Sequence, residues 1–272
     1  MSLAKLLKKE SNTFPDYKLS LTTPHKIEDF IEHIGRIYDY RDFQVELFKQ
    51  LFATGERSKN VIHPSEVSYE EEVCTRFLYY SIIDAPVNRF YVNIGEADNK
   101  LQRIFDLGTM IHWYLQVNLL EQGLLSGIEV VVKNEAYKIN GHADGVTTKL
   151  FPKFQGKKLL AEIKSINTFG YRSPKLPYDY HVRQASIYAK ELDCEGILFI
   201  YYDKNTSDIK YLYSDINEEW LTIFYKKAKK AVRHENHLIK KGVEKLPEGV
   251  CKTKRCKRAD ECRYLETCFN LR

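Results

Sequence analysis

Apolar residues recur along this chain with two periods, and the change from one to the other marks out its elements. Over residues 25–52, Ile27, Phe30, Ile31, Ile34, Ile37 and Tyr38 form one stripe at helical spacing. Residues 55–64 read as a connecting loop. Residues 65–81 read as a helix around Cys74-Thr75-Arg76-Phe77-Leu78-Tyr79-Tyr80, and residues 98–125 as a long helix ended by Gly123 and Gly127. The period then shortens to that of strands at 128–133, 136–140, 144–150 and 159–165, with 151–156 as the turn before the last. A helix over 179–192, strands over 196–203 and 209–214, and a long helix over 216–241 precede a cysteine-rich tail. Helix, strands, helix, strands predicts an α/β or α+β fold with a mixed sheet.

Composition narrows the class. The chain has 272 residues, 43% hydrophobic and 29% charged, enough to bury one large core or two modest ones. The longest strongly apolar run, residues 197–202, is far too short to span a bilayer. The stretch Met1-Ser2-Leu3-Ala4-Lys5-Leu6-Leu7-Lys8-Lys9 lacks the apolar centre of a signal peptide, so a cytoplasmic location without membrane contact is expected. The net charge of +5 is unevenly spread: between Lys226 and Arg258 thirteen Lys or Arg stand against three Glu. That asymmetry suits a polyanionic partner, though a solvated helix face reads equally well.

Chemistry concentrates in two short stretches, Gly141-His142-Ala143-Asp144 and, eighteen residues after Asp144, Glu162-Ile163-Lys164. Glu162 lies in an apolar run that predicts a buried strand, where an unpaired charge is costly. On a strand Glu162 and Lys164 share one face and Ile163 takes the other. Two carboxylates are the ligands that hard divalent cations such as Mg²⁺ prefer, and a nearby ammonium can stabilise charge developing on a phosphate. The same residues also read as a surface ion pair on an edge strand, with Asp144 serving a turn.

His112 shares a helical face with Ile104, Gly108, Ile111, Leu115 and Leu119. Alone it reads as a core histidine; beside two carboxylates its imidazole would complete a three-ligand site. Gly108, one turn earlier, would let a sheet or ligand approach closely. Gln184 and Tyr188, at i and i+4, share a face of the next helix, where they would support such a site or simply pack.

Taken in order, Gly108-x-x-x-His112, Gly141-His142-Ala143-Asp144, Glu162-Ile163-Lys164 and Gln184-x-x-x-Tyr188 resemble the motifs of the RecB-type nucleases of the PD-(D/E)XK superfamily. The resemblance spans roughly residues 65–268. It implies a restriction-endonuclease-like core, with a mixed central sheet flanked by helices, over residues 65–250. An N-terminal helical extension (1–64) and a tail (251–272) would frame it. It further implies that His112, Asp144, Glu162 and the Ile163 carbonyl bind Mg²⁺ or Mn²⁺. Lys164 would be the catalytic lysine, and Gln184 and Tyr188 would support the site and the DNA. One departure is Ala143, where that superfamily's usual proline before the first acidic residue is absent.

Six cysteines occur, four of them within the last 22 residues. In a reducing compartment that spacing favours metal over disulfides. Cys74 and the tail resemble the split iron–sulfur site of the branch containing AddB and the CRISPR-associated exonucleases. There, one N-terminal and three C-terminal cysteines hold a [4Fe-4S] cluster that pins the chain ends together. The resemblance assigns Cys74, Cys262 and Cys268, with Cys256 as the fourth ligand and Cys251 as the alternate, because Ala259 breaks the usual Cys-x-x-Cys. Structural zinc held by the tail alone is the competing reading. Cys194 is expected in the core.

The function expected is a metal-dependent exonuclease acting on single-stranded DNA or DNA ends in repair, recombination or processing. No phosphate-binding Gly-x-x-x-x-Gly-Lys-Ser/Thr element is present, so the chain would not unwind duplex by itself; a helicase or a recombination or integration partner is expected. Two other readings are a non-catalytic nucleic-acid-binding scaffold subunit and a sequence-specific endonuclease.

Overall fold

The structure, a computed structural model, describes residues 58–69, 72–87, 99–147 and 156–270. The helix expected at 25–52, most of the turn at 151–156 and the end of the strand at 144–150 lie outside the described residues. Eight helices are described: α1 (Pro64–Val67), α2 (Thr75–Ile82), α3 (Asn99–Glu121), α4 (Thr168–Tyr171), α5 (Asp179–Glu191), α6 (Glu218–Lys241), α7 (Lys257–Asp260) and α8 (Leu265–Asn270). Five strands are described: β1 (Leu125–Asn134), β2 (Ile139–Thr147), β3 (Leu159–Ile166), β4 (Gly196–Asp203) and β5 (Ile209–Ser214).

The strands form one mixed sheet in chain order, parallel only between β3 and β4 and antiparallel elsewhere. The parallel pair requires a crossover, and α4 and α5 supply it. Strands β3 and β4 read as near-continuous apolar runs because both faces are covered. Alternation sorts them: Leu159, Ala161 and Ile163 pack with Ile111, Leu115 and Leu119 of α3. Leu160, Ile197, Phe199 and Tyr201 pack with Ala185, Tyr188 and Ala189 of α5. A third cluster joins α2 to α6 through Leu78, Tyr79, Ile82, Leu221, Phe224 and Ala228, with Tyr264 from the tail.

Three sequence expectations are corrected. The single helix over 65–81 is two, α1 starting at Pro64 and α2 at Thr75, with Cys74 as the extended residue that begins α2. The strands at 136–140 and 144–150 are one strand from Ile139, because the turn sits earlier, at Glu135 to Lys138, where Lys138 has φ +56°. The stripe on α3 is buried only from Ile111 onward: Ile104 is 44% exposed while Leu115 is 4% exposed.

Helix α6 shows how local chemistry fixes an element's ends. The Asn217 side chain accepts from the Trp220 N–H, Glu218 and Glu219 sit in the first turn, and Lys240 and Lys241 in the last. Gly242 then takes φ +63° and returns its N–H to Leu238 O, the left-handed stop that favours glycine.

Candidate active site

Alternation along β1 and β2 reverses at one place. Ile128 packs on the α3 side, yet Val130 and Val132 pack on the α5 side. Between them Glu129 has φ +47°, left-handed for a residue with a Cβ. Opposite, Ala143 faces α5 while a Cβ on Gly145 would meet Leu125, on the α3 side. The flanking pairs Ile128↔Gly145 and Val130↔Ala143 put Asp144 opposite Glu129. A local reversal of this kind re-aims side chains, and here it re-aims Asp144.

The carboxylate of Asp144 is held on both oxygens. Oδ2 accepts from the Ile163 N–H at 2.7 Å, and Oδ1 lies 3.4 Å from His112 Nδ1 on α3. On β3, Glu162 and Lys164 share a face as alternation requires, with Lys164 Nζ donating to Glu162 Oε1 at 2.7 Å. Lys164 also reaches Gln184 Oε1 on α5 at 3.4 Å. Glu162 is 2% exposed, and its second oxygen, Oε2, is buried with no hydrogen-bond partner. The sequence-predicted His112, Asp144, Glu162, Ile163, Lys164 and Gln184 thus form one connected group.

Tyr188 stands differently. It is buried under β2, where a Cβ on Gly141 would meet its Oη at 2.8 Å. Gly141 is therefore needed for this close approach. Gly108 is not under the same constraint, since a Cβ there would meet Ser165 Oγ at an ordinary 3.5 Å.

Two residues of the group had not been singled out in the sequence. Gln116 is 1% exposed and its amide donates both to Glu129 Oε1 at 2.9 Å and to the Asp144 carbonyl at 2.8 Å. Gln116 follows His112 by one helical turn, so the helical face itself carried the signal. Glu129 carried none: its place depends on strand register and on a left-handed backbone.

Charges in the group are strongly interdependent. Burial pushes the Glu162 carboxyl well above the usual range, Lys164 partly offsets this, and Asp144 adds to it. Burial also works against ionised Asp144, but His112 and the Ile163 N–H outweigh it and hold its pKa down. For Lys164 burial is outweighed by Glu162 and Asp144, so the ammonium persists. His112 is likewise lifted, by Asp144 against burial. Glu129 is raised by burial and by Asp144.

The cysteines gather elsewhere. Cys74, Cys251, Cys262 and Cys268 line one cavity of about 840 Å³ between α2 and the tail. Cys256 lies beside Cys251, in hydrogen-bond contact with it. Burial and these neighbours push the Cys251 thiol up to about 12; burial, with Cys74 and Cys268 nearby, pushes Cys262 up to about 11. Arg76 donates to Cys268 Sγ at 3.4 Å and to Pro247 O at 2.9 Å. Tyr80, on the same wall, has a buried hydroxyl without a hydrogen-bond partner. The tail is tied down by the Arg263–Glu66 ion pair and by Tyr264 packed on Phe77 and Tyr80. Cys194 is buried in the core beside α5. Among the described residues, no three His, Cys, Asp or Glu side chains stand at the spacing of a closed metal-ligand set. Among the same residues, no helix is long and apolar enough to cross a membrane.

No family model matches the chain, and no curated protein matches it. Among solved structures it is similar to SSO0001, at 20% identity and a TM-score of 0.44 over 73% of this chain and 87% of that one. It is also similar to an alkaline exonuclease, LHK-Exo, from Laribacter hongkongensis, at 14% identity and a TM-score of 0.45 over 71% and 94%. The same enzyme in complex with dAMP aligns at 13% identity and a TM-score of 0.43 over 66% and 90%.

Proposed function

We propose that this protein is a divalent-cation-dependent DNA exonuclease acting on single strands or free ends. The observation that carries the reading is Glu162 Oε2, a buried carboxylate oxygen without a partner, next to Asp144 and Lys164. A buried acid with an unused oxygen fits a hard cation, which would relieve the cost that now lifts its pKa. Asp144, Glu162, His112 and the Ile163 carbonyl would hold Mg²⁺ or Mn²⁺. When bound, such an ion acidifies water and neutralises charge on phosphate.

The remaining chemistry belongs to the chain. Lys164 is aimed by Glu162 and Gln184, so that its ammonium can donate to a phosphate oxygen as negative charge builds there. The Ile163 N–H and Gln116 hold Asp144 in place, and Gly141 lets Tyr188 support β2. The basic stretch from Lys226 to Arg258 would attract the polyanion.

We further read the cysteine cavity as a [4Fe-4S] site that clamps the tail to α2. Four thiolates suit such a cluster, and a sulfur-rich group would give the Tyr80 hydroxyl an acceptor. Cys74, Cys262 and Cys268 are its ligands. Cavity lining supports Cys251 over its neighbour Cys256 for the fourth place.

The test is degradation of linear single-stranded, linear duplex and closed circular DNA with Mg²⁺ or Mn²⁺. Linear substrates should be consumed and circles left intact, with Lys164→Ala slower by about 100-fold or more. Absence of any cation-dependent cleavage would favour a binding scaffold, and cut circles an endonuclease.

A further inference from the structure

Beside the carboxylate–ammonium pair stands a feature that the cleavage chemistry does not use. Tyr69 and Tyr180 are stacked, with ring centroids 4.9 Å apart and planes 16° from parallel. Tyr178 continues the stack beyond Tyr180 at 5.6 Å and 9°. His181 braces the row edge-on, at 4.2 Å from Tyr180 and 5.6 Å from Tyr178, and is itself hydrogen-bonded to buried Tyr201 at 2.8 Å. The segment that carries Tyr69 is tied to α5 by Arg183, whose Nε donates to Ser68 O at 2.8 Å.

The row is braced from the core through His181 and left open at its Tyr69 end. Tyr201 is fully buried and Tyr180 half-buried, while Tyr69 remains 69% exposed. A tyrosine row made only to fill the core would end on a covered ring. The row also lies near the site, since Tyr180 is one turn before Gln184 on α5 and Gln184 accepts from the Lys164 ammonium.

We propose that Tyr69, Tyr180 and Tyr178 form a stacking platform for a nucleobase of single-stranded nucleic acid, holding the strand while its backbone lies at Lys164. The proposal rests on the nuclease reading above. Near-parallel rings of this spacing offer a base the same face-to-face contact that bases give one another. Because every base has a π-face, such a platform tolerates sequence. Along a paired duplex every internal base face is covered by its neighbours, so away from an end the platform selects single strands.

The experiment measures binding of fluorescent oligonucleotides to the full chain with Ca²⁺ replacing Mg²⁺, in wild type, Tyr69→Leu, Tyr69→Phe and Tyr69→Trp. Tyr69→Leu should weaken single-strand binding about ten-fold, while Phe and Trp keep it within about two-fold. Duplex binding should not change. An abasic position scanned along the strand should weaken wild type at one place and leave Tyr69→Leu indifferent there. Melting temperatures should agree within roughly a few degrees, because Tyr69 is mostly exposed and gives up only its stacking on Tyr180. If wild type cleaves DNA but Tyr69→Leu binds single strands normally and the abasic scan is flat, the platform is refuted and the nuclease reading stands. If wild type neither binds nor cleaves nucleic acid, both fall.

Discussion

The backbone N–H of Ile163 donates to Asp144 Oδ2 at 2.7 Å, so the strand that carries Glu162 and Lys164 also fixes the carboxylate of the neighbouring strand. Strands β2 and β3 are thereby locked together at the site by a charge-assisted bond rather than by the ladder alone. Asp144→Asn keeps an acceptor for this N–H but loses the charge. We expect a folded protein with a near-normal melting temperature. Its Mn²⁺ affinity, followed by titration, should fall by more than the ~10–100-fold typical of losing an outer partner of a metal site. Unchanged Mn²⁺ binding would remove Asp144 from the ligand set.

Gln116 stitches Glu129 to the Asp144 backbone, and both of its bonds are made by one amide nitrogen. Gln116→Leu fills the space but leaves the Asp144 carbonyl and the Glu129 carboxyl without that donor. The expected cost is ~1–3 kcal/mol, read as a fall of roughly 2–4 °C in melting temperature per kcal/mol. Cation affinity should drop with it. A variant that melts like wild type would show that the two acceptors are satisfied by water.

Gly141 and Tyr188 make a packing prediction with a built-in control. A Cβ at 141 would lie 2.8 Å from Tyr188 Oη and 3.0 Å from the ring, and that ring is only 5% exposed, so it has little room to yield. Gly141→Ala should cost ~1–3 kcal/mol in urea unfolding. Tyr188→Phe removes the closest atom, so the double variant should be more stable than the two single costs summed. Strict additivity would mean that the contact is not what makes residue 141 glycine.

Much of this arrangement was legible in the sequence because it is periodic. Strands β3 and β4 and helix α5 follow from apolar runs and a helical face, and the shared face of Glu162 and Lys164 follows from alternation alone. What escaped depends on contacts distant in the chain. Gly141-His142-Ala143 fell between two expected strands, yet β2 runs through it, paired with Val131 and Val132 and packed on Tyr188. Glu129 precedes three valines and looks like any polar residue at a strand's start. Only the reversal of alternation there brings it opposite Asp144.

His181 gives the protein an acid sensitivity of defined sign. It is 6% exposed, and burial, with Lys164 adding, pushes its imidazole from the ordinary 6.5 down to about 3. The unfolded chain therefore binds a proton that the folded chain refuses between those values, so stability is lost as pH falls below 6.5. Above 6.5 the residue contributes no slope. His181→Gln should remove about 2 kcal/mol of the loss between pH 7 and pH 5, since one pKa unit is worth ~1.4 kcal/mol. Urea midpoints of the two proteins at both pH values supply the comparison. Parallel acid slopes would show that His181 is protonated without cost.

The cysteine cavity predicts a division among the six thiols that no single-site null result can imitate. Cys74, Cys262 and Cys268 reach the same cavity from opposite ends of the chain, so a group bound there joins α2 to the tail. Such a link stabilises the folded chain by mass action and by closing a long loop. Anaerobically purified wild type should be brown, with iron and sulfide near four per chain, as a [4Fe-4S] cluster requires. Cys74→Ser or Cys268→Ser should lose the colour and let protease cleave the tail after residue 250. Cys194→Ser should retain both, because that thiol lies in the core beside α5. Comparing Cys251→Ser with Cys256→Ser assigns the fourth ligand, and the cavity wall favours loss in Cys251→Ser. Cys251 lines the cavity and Cys256 does not, so the two variants should differ in iron content rather than share an intermediate value. A colourless wild type carrying one zinc, retained in Cys74→Ser, would instead place the metal in the tail alone and leave Cys74 as a packing residue.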